Sequence, residues 1–173
     1  MQLLWTEFLA ALRQPEYLHV VLHPLPIYGL AAGVFSLVVA LLARSRSGQA
    51  IALLLMLLTA STAWPVAYFG HEAYDRVYAM SNDPEQKWLN WHEHLAERIV
   101  WGFYATAALA AAALVGHWKS PRLHRIALPL TLVAAVAALG LSGFLAFVGG
   151  KIRHSEFRSG PPPAWADTAA DHD

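Results

Sequence analysis

Residues 90–117 read NWHEHLAERIVWGFYATAALAAAALVGH. Two His, two Glu and an Arg fall between Asn90 and Arg98, and from Ile99 to Gly116 no charged residue appears. A mostly apolar run of about 20 residues is long enough to cross the hydrocarbon core of a bilayer as a helix. The stretch therefore reads as a polar cluster placed at the entry of a membrane span.

Three further runs of this kind flank it. The four spans lie at about 24–43, 50–69, 97–117 and 126–148, each close to the length a bilayer demands, and none carries Asp, Glu, Lys or Arg in its middle. Composition agrees. The chain of 173 residues is 57% hydrophobic and 14% charged, against about 45–50% and about 25% for an ordinary soluble domain. The expected fold class is all-α, an integral membrane four-helix bundle over residues 19–158. A short amphipathic segment at 1–18 precedes it and an extended tail at 159–173 follows. In QLLWTEFLAALR (2–13), Leu3, Leu4, Phe8, Ala11 and Leu12 recur at helical spacing without a basic leader before them, which suits a helix lying on the membrane surface rather than a signal peptide. The tail is rich in Pro, Ala and Asp. Pro24 and Pro26 fall at the start of the first span, where proline is tolerated, whereas Pro65 and Pro129 are expected to kink their helices. Asn90 is expected to cap the third helix, with Glu93 and Glu97 at its electropositive N-terminus.

A net charge of zero provides no electrostatic footprint for nucleic acid. The absence of Cys removes disulfides, thiolate metal sites, iron–sulfur clusters and covalent c-type haem attachment, so a haem would have to be held by His. The loops RSRSGQ, with Arg44 and Arg46, and HWKSPRLHR, with Lys119, Arg122 and Arg125, contain no acid. The positive-inside rule assigns both to the cytoplasm. The expected location is the inner (plasma) membrane, multi-pass, with both termini periplasmic.

On this map His19 and His23 precede span one, His71 follows span two, His92 and His94 precede span three, and His154 follows span four. Six of nine His thus gather at one membrane face, and His117 and His124 map to the other. Bundle cores hold cofactors on inward side chains, and ionisable residues bordering spans tend to mark sites. The expected haem or metal ligands are His23, His71, His92 and His154, one per helix. His92 and His94 are two apart and cannot share a helix face, so His94 stands as the alternate ligand. Arg98, Lys151, Arg153 and Arg158 are candidates to pair with haem propionates. Small residues near these His, Gly29, Gly33, Gly70, Gly140, Gly143, Gly149 and Gly150, would permit the close approach of a flat group, and glycine equally serves plain helix packing in membranes.

The motifs LHPLPIYGL, FGHEAYDRV, HEHLAERIVWG and GGKIRHSEF together resemble an uncharacterised four-helix inner-membrane family, domain of unknown function 2231, over most of residues 19–158. In this chain the first motif is one residue longer between His23 and Pro26. The resemblance implies His23, His92 and His154 as family positions, with His71 in a less fixed motif, and implies haem binding and redox service to periplasmic partners. The expected function is a b-type, cytochrome-like electron-transfer subunit rather than a stand-alone enzyme. It would carry one or two haems b and pass electrons between the quinol pool and a periplasmic or membrane redox protein. Bis-His ligation leaves no open iron position for a substrate. Tyr28, Tyr68, Tyr74, Trp88 and Trp91 could line a quinone site or form an interfacial belt. The alternatives are a copper, zinc or iron site drawing on His71, Glu72, His92, Glu93, Glu97 and His154, and a cofactor-free structural subunit of a membrane complex.

Overall fold

Inside a bilayer each peptide group must find its hydrogen-bond partner within the chain, so the apolar spans must be helical. The structure, a computed structural model, describes residues 1–164. It is all-helical. Helix α1 spans Gln2–Ala11, and four long apolar helices follow: α2 (Pro15–Leu42), α3 (Arg46–Ala79), α4 (Asp83–Lys119) and α5 (Pro121–Arg153). A 3-10 turn, Ser155–Phe157, ends the described fold. Residues 165–173 of the expected tail, with His172, lie outside the described residues.

Polar caps set the turns. Ser45 accepts from Gly48 N at the start of α3, and Ser120, the one residue between α4 and α5, accepts from Leu123 N. Asn82 and Glu85 form a reciprocal capping box that starts α4. The N-terminus of α4 is therefore Asp83, two turns before the Asn90 cap anticipated from sequence. A complete capping box with Pro84 in the first turn outcompetes an isolated Asn. Asn90 instead lies inside the helix, buried, and accepts a hydrogen bond from the Tyr74 hydroxyl.

All four long helices exceed the apolar runs. The 37 residues of α4 extend about 55 Å at 1.5 Å per residue, against a hydrocarbon core of about 30 Å. The polar end of α4 accordingly projects from the bilayer and packs beside the ends of α3 and α5. A second, aromatic core forms there from Trp88, Leu89, Val148 and Ile152, with Tyr74, Tyr78 and Trp91 against it. The Lys151 side chain, buried, lies over the Trp88 and Phe147 rings at 4.4 and 4.5 Å.

The prolines act unevenly. Pro24 and Pro26 lie within α2, not at its start, and the backbone there adopts a π turn over Leu25–Gly29, as missing N–H donors force the ladder to shift. Regular α-helix lapses at Thr62, three residues before Pro65, and runs unbroken past Pro129.

The main core runs through Leu30, Leu37, Leu53, Met56, Phe103 and a seam of alanines on α4 and α5. The polar side chains inside it, Thr106, Thr131 and Ser142, each donate to the carbonyl four residues earlier in their own helix. Large apolar side chains such as Phe35, Ile51, Trp101 and Val133 stand outward, far more than a soluble monomer exposes. This inverted surface is that of a membrane bundle. Helix α1 packs no buried residue, and its Leu3, Leu4, Trp5, Phe8, Leu9 and Leu12 are all exposed.

Helices α4 and α5 approach tightly where Gly116 meets the backbone of His124. A Cβ at Gly116 would fall 2.5 Å from His124 N, whereas one at Gly143 would meet nothing within 4 Å. Gly116→Val is expected to destabilise the detergent-solubilised protein by about 1–3 kcal/mol, read as a lower thermal midpoint. Gly143→Ala should leave the midpoint unchanged or raise it.

Candidate functional site

A cavity opens between the four long helices near the projecting end of the bundle. It is lined by His19, His23, Pro26 and Ile27 of α2, Ala63, Val66 and Ala67 of α3, His92, Ala96 and Phe103 of α4, and Ser142 and Leu145 of α5, among others. Three imidazoles from two helices thus face one apolar space whose lining includes no carboxylate.

His19 and His23 are one helical turn apart, and the His23 N–H donates to His19 O at 2.9 Å. Their ring centroids are 5.8 Å apart. His19 Nδ1 lies 2.8 Å from the Val66 carbonyl of α3. A carbonyl only accepts, so Nδ1 carries the proton, and in the neutral ring Nε2 keeps the lone pair that a metal would use. The ring reaches this position because residue 70 is glycine, since a Cβ there would lie 2.8 Å from His19 Nδ1 and 2.9 Å from its Cε1. His92 is seated in the same way on α5, where a Cβ at Gly149 would lie 3.0 Å from its Cε1 and 3.1 Å from its Nδ1. His92 Nδ1 is shielded from solvent and makes no hydrogen bond of good geometry, its one backbone interaction being a weak one with Leu145. An unsatisfied buried polar atom costs about 1–3 kcal/mol, and such atoms are a recurrent sign of an absent ligand or water.

The other anticipated residues go elsewhere. His71 is exposed, with Nδ1 3.5 Å from Glu93 Oε1. His154 is exposed and lies 3.0 Å from Glu156 Oε1. The Glu156 backbone N–H first, and the His154 imidazole second, hold the Glu156 carboxyl below the usual carboxylate range. His94 is half-buried and does not line the cavity. Arg98 is exposed, Arg153 pairs with Glu85 at 3.1 Å, and Arg158 donates to the Lys151 and Ile152 carbonyls at the end of α5. Tyr28 and Tyr68 point outward, and Tyr68 stacks on Trp64. Of the four anticipated ligands the structure brings His23 and His92 together, adds His19, and leaves His71 and His154 at the surface. The spacing of His19 and His23 carried the missing signal, since it places both on one face once α2 begins at Pro15.

The cavity has a volume of about 60 Å³, room for a few waters or a single hydrated ion. Among the described residues no three His or carboxylate side chains already stand close enough to enclose a metal ion, so the three rings form an open set. Compared with family models, curated proteins and solved structures, the chain finds no match.

Nitrogen-15 NMR of histidine-labelled protein should show His19 with a protonated Nδ1 and a lone pair on Nε2. The opposite tautomer would contradict the Val66 contact.

Proposed function

We propose that the chain is a membrane-bound, b-type cytochrome-like electron-transfer subunit, with a haem held between His92 of α4 and His19 or His23 of α2. The observation that carries this reading is the convergence of three imidazoles from two helices on one apolar cavity. The donor set fits the group. Imidazole suits iron, and His92 together with His19 or His23 would hold it. Charge favours haem over a bare ion. A divalent cation among these imidazoles would find no carboxylate in the cavity wall to offset its charge, whereas a porphyrin carries two negative charges of its own. When bound, the group supplies one-electron redox chemistry.

The chain's own residues do the rest. The Val66 carbonyl fixes the His19 tautomer. Pro26, Ile27, Ala96, Phe103 and Leu145 exclude water, which sets the potential through local polarity. The cavity, at about 60 Å³, is smaller than a porphyrin. The π turn over Leu25–Gly29 borders the cavity through Pro26 and Ile27, and the Glu16–Arg76 ion pair at 2.7 Å ties α2 to α3. The resemblance to the domain of unknown function 2231 family points to His23 and His92 of this cavity, and also to His154, which lies outside it. By the positive-inside rule the site lies in the periplasmic half of an inner-membrane protein, with both termini periplasmic. Electrons would then pass between the quinol pool and a periplasmic or membrane redox partner.

The small cavity favours a second reading, a single copper or zinc ion on the same rings. Absorbance separates the two. The purified protein is expected to show a Soret band and a sharp reduced α-band, lost in His92→Ala and weakened in His19→Ala or His23→Ala, but retained in His71→Ala and His154→Ala. A colourless protein holding one equivalent of metal would favour the second reading. Loss of haem in His71→Ala or His154→Ala would contradict the placement of the site.

A further inference from the structure

We infer that the end of the bundle opposite the His cavity is a docking surface for the headgroup phosphates of anionic lipids. This inference is independent of the haem reading. All Asp and Glu of residues 1–164 lie in 7–16, 72–97 or at 156. Between them, residues 17–71 and 98–155 contain no acid. The α2–α3 and α4–α5 turns therefore present Arg44, Arg46, Lys119, Arg122 and Arg125, all exposed, with no carboxylate near them in sequence to neutralise them.

Backbone conformation adds a separate observation. Arg44 has φ 52°, the one non-glycine residue with positive φ among those described. It sits just past α2, where Ser45 N donates to Ala40 O at 2.9 Å and Arg44 N to Leu41 O at 3.0 Å. This is the six-to-one closure of a helix end whose left-handed position is usually filled by glycine. An L side chain there is strained, yet the chain places a cation at that position and directs it outward. Arg46, two residues on, donates to the His117 carbonyl at 3.1 Å and so joins the two turns. Against the same patch, His117 and His124 pack with ring centroids 5.1 Å apart. Trp118 and Leu42 stand exposed beside the cations, at the level where an aromatic ring meets headgroups and acyl chains. Clustered cations on this side of a span attract anionic headgroups. A free phosphate offers the same oxygens, but has no acyl chain for Trp118 and Leu42 to meet, so the surface is assigned to the lipid.

The test compares thermal midpoints in nanodiscs of phosphatidylcholine alone and of phosphatidylcholine mixed with phosphatidylglycerol, with native mass spectrometry counting retained lipids. Phosphatidylglycerol is expected to raise the midpoint by a few degrees and to be retained selectively, an effect that shrinks at high salt. Arg44→Gly should raise the midpoint in pure phosphatidylcholine, because strain is relieved, and reduce the phosphatidylglycerol increment. Arg122→Gln with Arg125→Gln should reduce the increment and leave the phosphatidylcholine midpoint alone. Equal midpoints in the two lipids, an undiminished increment in both variants, or full reproduction of the effect by inorganic phosphate at matched ionic strength would each overturn the assignment.

Discussion

The hydrogen bond from His19 Nδ1 to the Val66 carbonyl is the contact on which the candidate site depends. In a bilayer, backbone carbonyls are normally consumed by their own helix, so a side chain that reaches one must approach the neighbouring helix very closely. Gly70 permits that approach on α3, and Gly149 permits the matching approach of His92 on α5. These two glycines therefore place imidazoles from α2 and α4 at one level, with their rings against neighbouring backbone rather than in lipid. What remains in the cavity wall is apolar apart from Ser142, whose hydroxyl is spent on Ala138 O. The rings are left as the groups able to bind.

Much of the fold was legible in the sequence because a span is a matter of length and hydropathy. Four runs free of charge near position 30, 60, 107 and 137 yield four helices, and RSRSGQ and HWKSPRLHR mark the turns. Helix ends were less legible. They depend on short-range capping, and Asn82 with Glu85 extended α4 well beyond its apolar part. Helix α2 starts at Pro15, with proline in its first turn and no side-chain cap, and this start places His19 on the helix and in the cavity wall.

The site was legible in height and not in azimuth. Sequence position tells how far along the bundle axis a residue lies, and it placed His19, His23, His71, His92, His94 and His154 at one end. Which of them turn inward depends on the rotation of each helix, set by close contacts such as those at Gly70 and Gly149. His71 is exposed and faces Glu93, and His154 caps the end of α5, nine residues beyond Leu145 of the cavity wall, beside Glu156. One His from each helix is therefore not the arrangement present; two helices supply the three that meet.

The bundle is also polar along its axis. One end holds the aromatic core, the carboxylates and the imidazole cavity, and the other holds five cations and no acid. The account centres on a haem that imidazoles of α2 and α4 would hold together, and low-temperature EPR of the oxidised, purified protein tests it most directly. The predicted result is a low-spin ferric signal of two axial imidazoles that disappears in His92→Ala. Iron that is absent or high-spin, or a low-spin signal that survives His92→Ala unchanged, would contradict it.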